Sequence, residues 1–149
     1  MIQQGEIMNR RQRTEILVEG NKETAREICR IINSVYEVSI IEEPEKALVM
    51  AKCRENGKNG LFYLGEILVT DCRVSLQGKT GIGIVKGQDK TAAYDLAVID
   101  AAYNAHIPEC TGFDELLEQS GRALEIERQK ERNRILSTKV DFSTMNLDV

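Results

Sequence analysis

Apolar positions in this chain change period twice, from helical spacing to alternation and back again. Ala25, Ile28, Cys29, Ile32 and Val35 recur at three- and four-residue steps and so share one helical face. Asn21 stands where it can cap that helix. A shorter helix is predicted before it over residues 9–19, ending at Gly20 as a left-handed cap. Tyr36, Val38 and Ile40 then alternate with Glu37 and Ser39, which is strand periodicity. Pro44 is read as a turn, residues 47–53 as a second strand, and the polar run 54–60 as a hairpin loop. Residues 61–76 are too long for one ordinary strand, and Gly65 is the natural place for a bulge. A turn at 77–80 returns the chain along residues 81–86.

Helical spacing resumes at Asp89, which can cap a helix ending near His106, ahead of Pro108. Ala92, Ala93, Leu96, Ile99 and Tyr103 form its stripe. A fourth helix opens near Thr111 and Asp114, with Phe113, Leu116, Leu117 and Leu124 inward. Past Ile126 the stripe fades into a charged run, and residues 137–149 form an extended tail holding Val140 and Phe142. The order predicts an α+β fold: an antiparallel sheet of about four strands, with two helices before it and two after. Its 149 residues fit a single domain, 1–149. The tail has no core of its own and is expected to pack on a partner.

Composition narrows the function. The net charge of -4 argues against nucleic-acid binding through phosphates, and Arg10, Arg11 and Arg13 are read as a solvated helix end. Cys29, Cys53, Cys72 and Cys110 lie in or beside apolar runs without C-x-x-C spacing, so they are read as reduced core or near-core thiols. With His106 the only histidine, no metal site is expected. No secretory signal pattern and no membrane-length apolar run is found, so the expected location is the cytoplasm.

Phosphate loops are tempting but incomplete. Gly78-Lys79-Thr80 ends like a P-loop, but Arg73 stands where the leading glycine belongs. Gly81-Ile82-Gly83 fails as a dinucleotide fingerprint because Lys86 occupies the third glycine's place. The pair reads instead as a strand with one smooth glycine face. Gly87-Gln88-Asp89-Lys90 falls at a strand-to-helix junction, where free N–H groups attract anions and Asp89 is equally suited to cap them. Asp100 falls inside an apolar stripe, where a carboxylate must be paired or hydrogen-bonded. Glu66 is a second carboxylate, one that a bulge at Gly65 can re-aim. No nucleophile–base pair is evident, and the catalytic residues are unknown.

Three segments together resemble the PhnG family of the carbon–phosphorus lyase core complex. They are residues 62–70, residues 87–101 opening on Gly87-Gln88-Asp89-Lys90, and the run Val140-Asp141-Phe142-Ser143-Thr144-Met145. Gln88 stands where family members commonly carry Arg. The resemblance implies a non-autonomous subunit acting with PhnH, PhnI and PhnJ in a symmetric hetero-oligomer. That complex converts ATP, with Mg, and methylphosphonate to α-D-ribose 1-methylphosphonate 5-triphosphate and adenine. The chain alone is expected to bind no cofactor. Substrate or interface candidates, from chemistry and motif position, are Glu66, Gly87, Gln88, Asp89, Lys90, Asp100, Asp141, Phe142 and Thr144. The alternatives are a pure scaffold without substrate contact and a free-standing nucleotide or anion binder.

Overall fold

A computed structural model describes residues 8–140. Helices α1 (Arg10–Glu19) and α2 (Lys22–Val35) precede strands β1 (Val38–Arg54), β2 (Leu61–Leu76) and β3 (Lys79–Lys86). Helices α3 (Lys90–Asn104) and α4 (Cys110–Ser137) follow. The strands form one antiparallel sheet in the order β1-β2-β3, so the fold is α+β.

Where two strands were expected around Pro44 there is one. β1 runs straight through, with register shifts on either side of residues 41–45. Proline has no N–H to give a ladder, and β1 tolerates it because it is an edge strand. β2 is likewise one 16-residue strand. It bulges where expected: Ala51 pairs with Gly65 but Lys52 with Tyr63, leaving Leu64 as the extra residue. Gly65 takes φ 154°, which suits glycine.

The core lies between the sheet and α3, closed by α2, α1 and α4. Thr70, Cys72, Val74 and Leu76 of β2 face α3 with almost no exposure. From β3, Gly81 and Gly83 lie under the same helix. A Cβ on Gly81 would stand 2.1 Å from the Ala97 carbonyl oxygen, and one on Gly83 2.0 Å from that of Ala93. The glycine face therefore lets α3 pack directly on backbone. Ala93, Ala97 and Ala101 complete the contact with side chains of minimal size.

Helix ends follow their caps. Asn9 and Gln12 make a reciprocal capping box on α1, and Asn21 accepts from the Glu23 N–H on α2. Gly20 is not a left-handed cap. It is extended, at φ -81°, and its place is explained by crowding, since a Cβ there would lie 2.4 Å from the Ile16 carbonyl oxygen. Val35, read as part of the α2 face, is mostly exposed, because the helix ends there and turns away toward β1.

Candidate functional site

The Gly87-Gln88-Asp89-Lys90 corner is built around Thr70. Gly87, at φ 82°, turns the chain from β3 into α3, and its N–H donates to the Leu68 carbonyl at 2.9 Å. The buried Thr70 hydroxyl donates to the Gly87 carbonyl at 2.7 Å and accepts from the Asp89 N–H at 3.2 Å. Asp89 then caps α3, its Oδ1 accepting from the Ala92 N–H at 3.0 Å. Its Oδ2 meets Lys22 Nζ at 2.8 Å. Lys22 first, and then the Ala92 N–H, hold the Asp89 carboxyl below its ordinary value. Gln88 and Lys90 point into solvent. The carboxylate thus fills the anion position at this helix start.

Asp100 lies elsewhere, at the meeting of α1, α3 and β3. It accepts from Arg10 Nε at 2.9 Å, from an Arg10 terminal nitrogen at 2.7 Å and from Arg13 at 3.1 Å. Its Oδ2 also takes the Ile82 N–H of β3 at 3.0 Å. The arginine cluster is therefore not simply solvated. Arg13 is buried, and its guanidinium sits 4.1 Å from the centre of the Tyr103 ring. Tyr103 in turn donates to Asp114 at 2.6 Å. Burial first, and then this hydrogen bond, push the Tyr103 hydroxyl well up, so it stays protonated as a donor. Arg10 and Arg11 keep the exposed side of the cluster. Asp100, the partner of Arg10 and Arg13, is about 90 residues away in sequence, which is why spacing did not reveal it.

Glu66 stands on β2 just past the bulge, paired across the strands with Met50, and is exposed. It does not come near the Asp89 corner or Asp100 through any hydrogen bond or ion pair among the described residues. Asp141, Phe142 and Thr144 lie outside the described residues, as does the tail from residue 141 onward.

Two features were missed. The first is Asp95, on α3 at three-residue spacing from Ala92 and four from Ile99, so it was detectable by the same stripe argument as Asp100. It is only 6% exposed. Burial raises its carboxyl above the ordinary value, opposed by a contact with Cys29 and by the charge of Arg26. The Cys29 thiol is pushed up by burial and by Asp95 in turn. Asp95 lines a cleft of about 250 Å³ between α1, α2, α3 and β3, walled by Leu17, Val85 and Leu96.

The second feature is an apolar arm. β3 ends at Lys86, which pairs with Val69, so residues 61–68 of β2 pair with β1 alone. This two-stranded ribbon is about 27 Å long at 3.4 Å per residue. Leu48, Val49, Met50, Leu61, Phe62, Tyr63, Leu64, Ile67 and Leu68 are all exposed on it. Cys53, read as a core or near-core thiol, is exposed there too, opposite Phe62, because no helix covers this end of the sheet.

Among the described residues no group of three His, Cys, Asp or Glu side chains could hold a metal ion. No helix among them is long and apolar enough to cross a membrane. These observations define an α+β protein whose polar constellations tie its own elements together and whose longest hairpin is left apolar and bare.

The chain belongs to the family of the phosphonate metabolism protein PhnG, whose model matches residues 8–146. Membership gives it a role in phosphonate metabolism. No curated protein matches it.

Proposed function

We propose that this chain is a non-autonomous subunit of the carbon–phosphorus lyase core complex. With PhnH-, PhnI- and PhnJ-type partners it serves the conversion of ATP and methylphosphonate to α-D-ribose 1-methylphosphonate 5-triphosphate and adenine. The partners supply the catalytic groups and hold ATP with Mg, and the assembly works in the cytoplasm. The chain contributes surface and shape, and the tail from residue 137 packs on a partner.

The observation that carries this reading is the bare β1–β2 arm. A free two-stranded ribbon is marginally stable in water. One with apolar side chains on both faces and an open edge invites association or aggregation unless a partner covers it. A monomer working alone gains nothing from such an arm. The Asp89 and Asp100 constellations support the same reading, since internal partners already occupy both carboxylates.

Co-expression with the three partner subunits tests it. Phe62→Ser with Leu64→Lys is expected to leave the helix-covered core folded and to release the chain from the assembly, with adenine release lost in step. Retained assembly would turn attention from the arm to other surfaces. ATP turnover with methylphosphonate by the purified chain alone would overturn the subunit reading. The scaffold-only version makes a separate prediction: Lys90→Gln, on an exposed side chain of the α3 start, leaves adenine release by the intact assembly unchanged.

A further inference from the structure

Helix α3 closes only half of the outer edge of β3. Asn104 donates to the Thr80 carbonyl at 2.8 Å, and the Ile82 N–H donates to Asp100 at 3.0 Å. Alternate residues of a strand turn their main-chain groups to the same side. Gly83 and Val85 therefore face β2, across from Cys72 and Thr70, and Ile84 faces outward with Ile82. Among the described residues no hydrogen bond reaches the Ile82 carbonyl or either main-chain group of Ile84 from outside. Beside this free stretch lies a groove of about 820 Å³ between β3 and α1. That is within the roughly 300–1,000 Å³ of ligand clefts, room for several residues of extended chain rather than one ion. Leu17, Val18, Ile82, Ile84 and Leu96 give it an apolar lining.

The charge of the groove is lopsided. Arg10 and Arg13 share the single carboxylate of Asp100. Exposed Arg11 makes no ion pair among the described residues. The other two carboxylates on the lining, Glu15 and Glu19, are both held by Arg128. Four guanidiniums thus meet three carboxylates, on a chain whose net charge is -4.

We infer that this groove takes an extended segment of a partner subunit, which adds a fourth strand to β3 and carries carboxylates for Arg10 and Arg11. Unpaired main-chain groups supply the pairing, and the aliphatic lining takes the segment's apolar side chains. The surplus positive charge selects an acidic sequence over a neutral one. The inference rests on the subunit reading but uses the opposite edge of the sheet from the β1–β2 arm.

Hydrogen exchange of the full-length chain, alone and in the assembly co-expressed with PhnH-, PhnI- and PhnJ-type partners, tests it at the level of single amides. The Ile84 amide is expected to exchange fast in the isolated chain and to slow at least about tenfold in the assembly, as a newly bonded amide does. Gly83 and Val85 should be protected in both. Two variants are then co-expressed in competition with wild type, their folding checked by melting. Ile84→Pro removes the free N–H at an edge position that accepts proline, and Arg11→Glu reverses the unpaired charge. Each should enter the assembly about tenfold less than wild type, about the effect of 1.4 kcal/mol. A wild-type assembly that forms with the Ile84 amide still fast overturns the strand addition and leaves the subunit reading standing. Equal entry of Ile84→Pro also overturns it. Equal entry of Arg11→Glu overturns the acidic character of the segment. Ile84 protection already present in the isolated chain, and lost when residues 141–149 are removed, would make the occupant this chain's own tail. Failure of the wild-type chain to assemble at all overturns both readings together.

Discussion

Arg13 and Asp100 meet at 3.1 Å with their side chains only 8% and 7% exposed. Asp100 also holds Arg10 and the Ile82 N–H, so one carboxylate fastens α1 and the outer strand β3 to α3. The Ile82 bond blunts a sheet edge that would otherwise be open. Removing Asp100 leaves Arg13 buried without its partner. Asp100→Ala is expected to cost about 3–5 kcal/mol, the range for breaking a buried pair from one side. Arg10→Ala, with a side chain 62% exposed, should cost about 1 kcal/mol or less. Urea denaturation of the two variants checks the contrast. Similar midpoints would show that the pair does not organise this corner.

Gly83 offers a second test, on the packing of sheet against helix. A methyl there would stand 2.0 Å from the Ala93 carbonyl oxygen and 2.6 Å from the Ala97 nitrogen, both main-chain atoms. No side chain can rotate away to make room, so α3 must move off the sheet. Gly83→Ala is expected to lose at least about 1–3 kcal/mol, the usual cost of overpacking. The loss should appear in thermal melting. A variant with unchanged stability would mean that α3 rides more loosely on β3 than the distances imply.

The sequence carried these local features unevenly. Asn21 and Asp89 announced their helices because a cap is a short-range event, read from residues two or three positions on. The bulge at Gly65 and the glycine face of β3 were legible for the same reason. Pro44 misled, because whether proline ends a strand or sits within it depends on whether that strand is an edge, a tertiary fact. Arg13 misled more deeply: its burial is decided by Asp100 and Tyr103, far along the chain. Asp95 was within reach of the stripe argument. The bare arm was not, since alternation shows which residues share a face but not whether anything covers it.

Asp95 also predicts how stability depends on pH. Burial holds its folded-state carboxyl above the ordinary value, so over that interval the folded chain binds more protons than the unfolded one. Stability is therefore lost as pH rises from the unfolded value through the folded value. At neutral pH the full cost of the buried charge is present. Asp95→Asn should raise the melting temperature near pH 7, and the gain should shrink as pH falls through the raised value and vanish below about 3, where wild-type Asp95 is protonated in both states. Asp89 works in the opposite sense. Lys22 lowers its carboxyl, so its contribution is present above the ordinary value and lost as pH falls through the lowered one. A gain from Asp95→Asn that is independent of pH would point to shape rather than charge.

Thiol reactivity can report on the arm without any mutation. Cys53 is exposed on the ribbon opposite Phe62, whereas Cys29 and Cys72 are buried against α3 and the sheet. Burial, with the nearby carboxylates, pushes the Cys72 thiol up to about 11, which lowers its thiolate fraction as well as its access. Cys110, intermediate in exposure, is pushed up to about 11 in the same way. In the isolated chain near neutral pH, iodoacetamide should therefore label Cys53 first, Cys110 slowly, and Cys29 and Cys72 only on unfolding. In the assembly the Cys53 rate should fall sharply if partners cover the arm, and peptide mapping by mass spectrometry separates the four sites. Cys53 labelled equally fast in both forms would leave the ribbon exposed in the complex and remove the main support for its role in docking.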